Sequence, residues 1–491
     1  MRFKNIILQF LILFSFFFIS LQIWLDRFFG VVDFEQLIIF LSFGATGLLD
    51  SDDYIINKFI QICIFLPIFL TFIFNLLFKY FFLWKSNNIK KIFITLKKFK
   101  FYFSLFFLAV SILFFLKSIS FEDFLLRNNK IDFIKNYYIQ PNLEDFKNKK
   151  ENKNLVLIYV ESLDDILLNE KLLPKETFDK YSLKDFRAKS VKKFIPTKYT
   201  NWTIGSIVAT QCGIPQKPIG ILDIENNKLN RNKLDKFGFG MKNFLPNAIC
   251  IGDLLKKANY KNIFINAVNL KFANTGLFFK EHGYEEIIGK TYFDNLNLKH
   301  ESFTWGGGPN DRVLFKLAKT KIKDLVSSNQ KFNITILTTD THDPGFIDDD
   351  CTHDENENFS NIMNAVICTS DVLYDFINFI YDNYYENTSI VILGDHIYPG
   401  KLSLSTSDKN AERSIYNSLI SKDIKIYRDL INHYDFFPTI LNLLNFSFNQ
   451  DKLGLGVSFI KNTNIDNYNL YYDNLVNNIQ NKSDFYVKFW K

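Results

Sequence analysis

The sequence has little net charge for its length. Among its 491 residues, 58 lysines and arginines stand against 52 aspartates and glutamates, which gives a formal charge of +6. The lysines of the C-terminal two-thirds are interspersed with acids, so a nucleic-acid-binding surface is not indicated. The sequence also lacks an internal repeat. Its length leaves room for two or three domains.

The first apolar run is not followed by a small-residue cleavage site. Residues 6–25 read IILQFLILFSFFFISLQIWL, which is long enough to cross a bilayer as a helix. Two further apolar runs follow at 59–84 and 101–121. These features favour an uncleaved anchor over a signal peptide, and they predict a membrane domain, 1–121, with three transmembrane helices.

A fourth span at 29–53 is disfavoured on two grounds. Asp33 and Glu35 would lie in or near the bilayer, which is costly without a partner. The loop 85–100 carries six lysines and no acid, so it is expected to face the cytoplasm. Three spans satisfy this rule and place everything after residue 121 on the exported side, whereas four spans do not. We therefore expect 29–53 to be an exported interfacial or re-entrant segment.

Cysteine is scarce, with five residues in the chain. Cys63 lies in an apolar run and is interpreted as a small apolar side chain. The other four lie in the expected exported part, where an oxidising compartment permits two disulfides with three possible pairings. Sequence order favours the pairs Cys212–Cys250 and Cys351–Cys368, and four free buried thiols are the alternative.

The exported part changes character along its length. Residues 122–153 are polar and read as a linker with short helices, 154–470 as the catalytic domain, and 471–491 as a C-terminal tail. Short continuous apolar runs such as LVLIYV, typical of strands buried on both faces, alternate with helical patterns. This alternation predicts an α/β sandwich around a mostly parallel sheet.

Polar residues of catalytic type follow three of the predicted strands. Glu161 follows the first strand, Asp340 and His342 follow ITILTT, and Asp395 with His396 follow IVILG. Ligands gather at the carboxyl ends of strands in open α/β sheets, so these side chains are expected at one edge. Their mixture of oxygen and nitrogen ligands suits Zn²⁺ or Mn²⁺. The alternative for a single acid after a strand is a helix cap or a solvated side chain.

The stretch PTKYTNWTIGSIVATQCGIP, residues 196–215, contains four threonines and one serine. An unassisted threonine is a poor nucleophile, so a reactive hydroxyl here needs a partner elsewhere in the chain. A metal at the strand ends would supply one, because a bound cation lowers the pKa of a hydroxyl.

Several of these motifs, in this order, resemble the phosphoglycerol transferase I family: LVLIYVESLDD, the threonine stretch, NAICIGDLLKKANY, NLKFANTGLFFKEHGY, LTTDTHDPGF and GDH. That family decorates osmoregulated periplasmic glucans. It shares the alkaline-phosphatase/sulfatase-like fold with lipoteichoic acid synthase and lipid A phosphoethanolamine transferases. The resemblance covers nearly all of residues 150–460.

The resemblance implies roles for individual residues. In the lipoteichoic acid synthase pattern, the nucleophilic threonine lies thirteen residues before the glycine of a Gly-Leu-Pro, and counting back from Gly213 reaches Thr200. Thr203 then takes the place of a supporting hydroxyl in the substrate site. One divalent metal ion, Mn²⁺ or Zn²⁺ with Mg²⁺ as the alternative, is expected on four ligands: Glu161, Thr200, Asp395 and His396.

The resemblance also implies the substrate contacts. His342 matches a family histidine that binds the phosphate or protonates the leaving oxygen. The family's Trp-x-Arg is replaced around Phe272 and Asn274, where Lys271 could supply the positive charge. Trp305 and Asp311, in the glycine-rich TWGGGPNDR, are headgroup contacts in this interpretation, and a glycine-rich turn is the alternative.

The implied activity is metal-dependent transfer of phosphoglycerol from phosphatidylglycerol to a periplasmic or cell-surface glycan. A phosphothreonine-type intermediate forms and diacylglycerol leaves. The protein is then a multi-pass inner-membrane enzyme with its catalytic domain in the periplasm. Phosphoethanolamine transfer from phosphatidylethanolamine to a glycan or lipid A is the alternative, and an inactive glycan-binding member is a third. Sulfatase chemistry is disfavoured, because no Cys/Ser-x-Pro-x-Arg stands at the threonine stretch.

Overall fold

The computed structural model describes twelve segments of the chain: residues 2–28, 32–42, 53–82, 87–125, 131–147, 151–170, 172–217, 243–296, 303–351, 360–400, 413–462 and 468–491. The chain divides into two compact units. The first contains Met1–Ile39 and Asp52–Arg127, and the second contains Phe40–Ser51 and Asn128–Lys491.

The first unit is helical. Its helices are α1 (Arg2–Phe28), α2 (Phe34–Ser42, of which residues 40–42 are assigned to the second unit), α3 (Asp53–Phe59), α4 (Leu66–Phe82), α5 (Asn87–Ser118) and α6 (Phe121–Leu125). A π-helical stretch, Ile60–Phe65, joins α3 to α4. Three stretches are long and apolar enough to cross a membrane: Ile6–Phe28, Ile56–Leu77 and Phe101–Ser118. A pair of side-chain amides joins two of them, because Gln9 and Asn75 exchange hydrogen bonds of 3.0 and 2.7 Å.

Two segments of the first part of the chain differ from, or only partly test, what the sequence predicts. The lysine-rich stretch expected as a loop is helical from residue 87 onward, as part of α5. Lysine is a good helix former and this stretch contains no glycine or proline, so the helix continues through it. Of the expected exported segment 29–53, residues 34–42 form α2, and residues 43–52 lie outside the described part of the chain.

The second unit is built on a six-stranded sheet with the order β4-β3-β5-β1-β6-β7. The strands are β1 (Asn154–Val160), β3 (Lys261–Asn266), β4 (Glu286–Ile288), β5 (Phe332–Leu337), β6 (Thr388–Gly394) and β7 (Asn417–Ile420). All neighbours are parallel except β6 and β7. Two small ribbons pair β2 (Lys193–Phe194) with β8 (Leu430–Ile431) and β9 (Lys452–Leu453) with β10 (Gly456–Val457). The mostly parallel sheet is confirmed.

The second unit also contains α-helices, some of which pack on the sheet. In chain order they are α7 (Phe133–Tyr137), α8 (Lys175–Ser182), α9 (Thr203–Cys212), α10 (Ile251–Lys257), α11 (Thr275–Glu281), α12 (Lys290–Asn295), α13 (Asp311–Ser327), α14 (Asn361–Tyr384), α15 (Phe436–Leu443) and α16 (Tyr468–Asn478). The central strands β1, β5 and β6 are buried along nearly their whole length, as expected for a sheet covered on both faces.

The segments expected as a linker and a tail contribute to the second unit. Phe133 and Phe146 are at most 1 % exposed. Near the C-terminus, Asn481 donates to the carbonyl of Ile131 at 3.1 Å, and the ring of Trp490 lies 5.5 Å from that of Phe244. Both segments therefore pack with the sheet-containing core.

Candidate active site

Two carboxylates and one imidazole lie together where two adjacent parallel strands end. Val160 of β1 and Gly394 of β6 are register partners, so the next residues, Glu161 and Asp395, emerge side by side. One ligand atom from each of Glu161, Asp395 and His396 lies within 4.8 Å of the others. His396 Nε2 is 3.2 Å from Glu161 Oε1 and 3.4 Å from Asp395 Oδ2.

Main-chain hydrogen bonds fix how this cluster presents its atoms. His396 Nδ1 donates to the carbonyl of Ile397 at 2.9 Å, which leaves Nε2 to face the carboxylates. Asp395 Oδ1 accepts from the amides of Ser162 and His396 at 2.7 and 2.9 Å. Its Oδ2 is buried and accepts no hydrogen bond within the described part of the chain. A buried carboxylate oxygen left without a donor, beside a second carboxylate and an imidazole nitrogen, fits a divalent cation.

The two buried carboxylates concentrate negative charge in the cluster. Burial raises the pKa of Asp395 to about 7, and the nearby Glu161 carboxylate adds to this effect. Burial by itself lowers the pKa of His396, but the Asp395 and Glu161 carboxylates outweigh it and raise that pKa to about 10. Two buried carboxylates therefore share one imidazole, and a divalent cation would relieve their repulsion.

The structure brings Thr203 to this cluster and not Thr200. Thr203 Oγ1 lies 3.4 Å from Glu161 Oε2 and 3.5 Å from His396 Nε2. Thr200 is fully buried, and its hydroxyl donates to the carbonyl of Thr197 at 2.9 Å and accepts from the Thr197 amide at 2.9 Å. Thr200, predicted as nucleophile and metal ligand, therefore does not lie with the other predicted ligands in the structure, whereas Thr203 does.

Thr200 lies away from the cluster because α9 begins only at Thr203. This helix begins at Thr203 and ends at Cys212, with Gly213 as a left-handed cap at φ 65°. A count of thirteen residues back from Gly213 passes the first helical residue and enters the preceding turn. Gly205 lets the helix start this close to the turn, because a Cβ there would lie 2.5 Å from the Tyr199 carbonyl oxygen.

His342 lies on the loop that follows β5. Its Nδ1 donates to the carbonyl of Asp343 at 3.0 Å, so its Nε2 is left available for proton transfer. The ring stacks on Trp305, with centroids 4.5 Å apart and an interplanar angle of 22°. Burial raises the pKa of Glu161, but the hydrogen bond and charge of His396 outweigh it, and nearby His342 adds a smaller lowering effect, so that pKa falls to about 2.

The other predicted headgroup contacts differ in burial. Trp305 is 5 % exposed, and its Nε1–H meets no acceptor in the described segments. The ring of Phe272 lies 4.8 Å from Trp305, at the start of the short 3₁₀ turn Phe272–Asn274. Asn274 Nδ2 is likewise a buried donor for which the described residues supply no acceptor. Lys271 precedes this turn and is exposed.

Asp311 is not available to a headgroup. It is fully buried, and its carboxylate accepts from the amides of Thr339 and Asp340 at 2.8 and 3.2 Å. Asp340 reciprocates, since its Oδ2 accepts from the Asp311 amide at 2.9 Å. Asp311 thus holds the loop that carries His342, and the structure shows these contacts where the sequence predicted one to a headgroup.

Both disulfides favoured by sequence order are present, Cys212–Cys250 and Cys351–Cys368. The first joins the end of α9 to the residue before α10, and the second joins the loop after β5 to α14. Cys63 is a free thiol buried in the first unit.

Sequence reasoning missed two supports of the cluster. Ser162 donates its hydroxyl to Glu161 Oε1 at 2.9 Å, in addition to the main-chain contact with Asp395. His433 is fully buried and donates from Nε2 to the carbonyl of Asp395 at 2.8 Å. Ser162 could have been suspected from its place beside Glu161. His433 lies more than thirty residues from Asp395, and nothing local in the sequence indicates the contact.

Comparison with known proteins places this site in a family. The model of the Sulfatase family matches residues 153–446. The chain belongs to the sulfatase family. Among curated relatives, phosphoglycerol transferase I of Escherichia coli O127:H6 is 30% identical over 323 residues, 62% of this chain and 38% of that protein. That of Citrobacter koseri is 31% identical over 249 residues, 50% of this chain and 31% of that protein.

This sulfatase-family chain thus spans less than half the length of the curated relatives it matches. Among solved structures, lipoteichoic acid synthase LtaP from Listeria monocytogenes aligns with a TM-score of 0.50 and 18% identity, covering 67% of this chain and 80% of that one. This similarity confirms the alkaline-phosphatase/sulfatase-like fold expected from the sequence.

Proposed function

We propose that this protein transfers phosphoglycerol from a phospholipid, phosphatidylglycerol, to a glycan, with Thr203 as the nucleophile. The observation that carries the proposal is the position of the Thr203 hydroxyl, 3.4 Å from Glu161 Oε2 and 3.5 Å from His396 Nε2. The names of the curated relatives support phosphoglycerol transfer. The three apolar helices are consistent with a lipid donor, since they would keep the enzyme in the membrane that contains it.

The first half-reaction forms a covalent intermediate. The Thr203 oxygen attacks the phosphorus of the donor, its proton passes to the Glu161 carboxylate, and the phosphorus–oxygen bond to diacylglycerol breaks. His342 Nε2 protonates the departing diacylglycerol oxygen. A divalent cation held by Glu161, Asp395, His396 and Thr203 would lower the pKa of the hydroxyl and offset negative charge on the phosphoryl oxygens.

The second half-reaction reverses these roles. A glycan hydroxyl gives its proton to His342 and attacks the phosphorus, the bond to Thr203 breaks, and the threonine oxygen recovers its proton. The same groups serve both steps because the glycan hydroxyl enters on the side of the phosphorus from which diacylglycerol left, opposite Thr203. The protein itself supplies one nucleophile, Thr203, and the acceptor supplies the other.

The chemistry of the headgroup side favours phosphoglycerol over phosphoethanolamine. Trp305 Nε1 and Asn274 Nδ2 are buried N–H donors whose acceptors are not among the described residues. Donors of this kind suit hydroxyl and phosphoryl oxygens, whereas an ammonium group needs acceptors. Lys271 adds positive charge near this side, which suits a phosphate.

We also propose a location for the protein. The lysine-rich stretch 85–100 is expected on the cytoplasmic side, which puts the sheet-containing unit in the periplasm of a multi-pass inner-membrane protein. Both disulfides lie in that unit, in agreement with an oxidising compartment.

Intact mass spectrometry of the full chain in detergent tests the proposal. With divalent metal and phosphatidylglycerol, we expect an adduct of one glycerol phosphate that is absent in Thr203→Ala and retained in Thr200→Val, a variant of similar size at the rejected position. An adduct lost only in Thr200→Val would restore the first assignment. A phosphoethanolamine adduct from phosphatidylethanolamine would change the donor, and no adduct from either lipid in the metal-loaded protein would contradict the proposal.

A further inference from the structure

Strand β1 and helix α9 touch at two separate points. At the site, Thr203 Oγ1 lies 3.4 Å from Glu161 Oε2. Two helical turns away, Tyr159 Oη lies 2.5 Å from Thr210 Oγ1 and accepts a hydrogen bond from Gln211 Nε2 at 3.3 Å. The second contact involves none of the groups assigned to the reaction.

The hydrogen-bond directions at this second contact can be assigned. The Thr210 hydroxyl donates back to helix carbonyls, that of Ser206 at 2.9 Å or that of Ile207 at 3.1 Å. The Thr210 oxygen therefore accepts a hydrogen bond from the Tyr159 hydroxyl, while the Tyr159 oxygen accepts one from Gln211. Tyr159 is fully buried, so water does not replace either bond.

The partner amide is itself held in place. Gln211 Oε1 accepts from the Tyr284 hydroxyl at 3.3 Å, and that hydroxyl lies 2.8 Å from Thr335 Oγ1 on β5. Asn333 Nδ2, also on β5, donates to Tyr284 at 3.0 Å. The contact between β1 and α9 is thus part of a buried polar network that reaches the neighbouring strand.

We propose that Tyr159 is a positioning residue whose hydroxyl fixes α9 against β1 and so sets the distance between the Thr203 hydroxyl and Glu161. Tyr159 lies in β1 and Glu161 directly follows this strand, two residues further on. Thr203 and Thr210 are seven residues apart on one helix, about 10 Å. Because a short helix moves as a rigid body, a shift at Thr210 is transmitted to Thr203. A displacement of about 1 Å at a reacting group can reduce the rate by about 10²-fold.

A matched pair of substitutions separates positioning from stability. Tyr181 is also buried, at 3 % exposed, and its hydroxyl donates one hydrogen bond, to the Val366 carbonyl at 2.9 Å, away from α9. Tyr159→Phe and Tyr181→Phe each remove one buried hydroxyl. Thr210→Val and Thr210→Ser form a second pair, of which only the serine keeps the oxygen that accepts from Tyr159.

This inference rests on the proposed role of Thr203, so the test has one readout with substrate and one without. In the full chain in detergent, Tyr159→Phe and Thr210→Val are expected to lower kcat about tenfold with KM changed less than twofold. Tyr181→Phe and Thr210→Ser should keep kcat within about twofold of the parent. Hydrogen–deuterium exchange should show faster exchange across α9 in Tyr159→Phe than in Tyr181→Phe.

Each outcome bears on the inference. Equal losses of thermal stability in the two phenylalanine variants, with kcat and α9 exchange unchanged in Tyr159→Phe, would overturn it. If the parent turns over neither lipid, the proposed function fails, and the exchange comparison still decides whether Tyr159 holds α9. An equal loss of kcat in Thr210→Ser and Thr210→Val would show that the hydroxyl at 210 is not what matters.

Discussion

His433 donates a hydrogen bond from Nε2 to the main-chain carbonyl of Asp395, 2.8 Å away. The imidazole is fully buried, and burial lowers its pKa to about 3, so the ring is neutral near pH 7. His433 thus holds the backbone of a candidate metal ligand without contributing charge to the cluster. Hydrogen bonds of this kind orient the residues that bind a metal.

Replacing His433 should therefore weaken metal binding as well as folding. In His433→Ala the Asp395 carbonyl loses its donor, which should cost about 1–3 kcal/mol of unfolding free energy. Metal affinity, measured by calorimetry on the full chain, should fall about 10–100-fold. His282→Ala is the matched control, since His282 is also buried and its Nε2 donates to a carbonyl, that of Phe244, at 3.0 Å. Similar metal affinities in the two variants would contradict this role.

The sequence predicted the cluster because its members carry local signals. Glu161 and Asp395 each follow a continuous apolar run directly, and parallel strands deliver the residues after them to one edge. The fold was predictable for the same reason, since alternating strand and helix patterns leave few arrangements.

Two side chains lie elsewhere than the sequence predicted because their positions depend on contacts that the residue pattern does not reveal. Whether Thr200 or Thr203 faces the cluster is set by where α9 begins, which depends on the close approach of Gly205 to Tyr199. Asp311 follows a glycine-rich turn. The same sequence would be expected whether its carboxylate contacts a ligand or accepts hydrogen bonds from the loop after β5. Only the position of that loop decides the matter.

Metal removal should destabilise the second unit. A ligand that binds only the folded state at about 100 times its Kd adds about 2.7 kcal/mol of stability. We therefore expect EDTA to lower the Tm of the parent protein and added Mn²⁺ or Zn²⁺ to restore it, measured by scanning fluorimetry. Glu161→Gln should abolish most of this difference because it removes one carboxylate ligand. An equal metal-dependent shift in Glu161→Gln would place the ion elsewhere.

The two disulfides should differ in their contribution to stability. Cys212–Cys250 closes a separation of 38 residues and Cys351–Cys368 one of 17. In the chain-entropy treatment these loops correspond to about 4 and about 3 kcal/mol of unfolding free energy. Replacing Cys212 and Cys250 together by serine should thus lower the denaturation midpoint more than replacing Cys351 and Cys368. The reverse order would mean that strain or denatured-state structure outweighs loop length here.

Asp311→Asn should slow the reaction through the loop that carries His342. An asparagine presents an amide NH₂ where the aspartate accepts from the Asp340 amide, so one of the two hydrogen bonds to residues 339–340 is lost. We expect kcat to fall about tenfold, as displaced catalytic groups typically cause. The loss should be the same with phosphatidylglycerol and with a small phosphodiester that lacks the glycerol headgroup, because a buried Asp311 contacts neither. A loss confined to phosphatidylglycerol would instead mean that Asp311 reaches the headgroup after all, and that the loop opens to admit it.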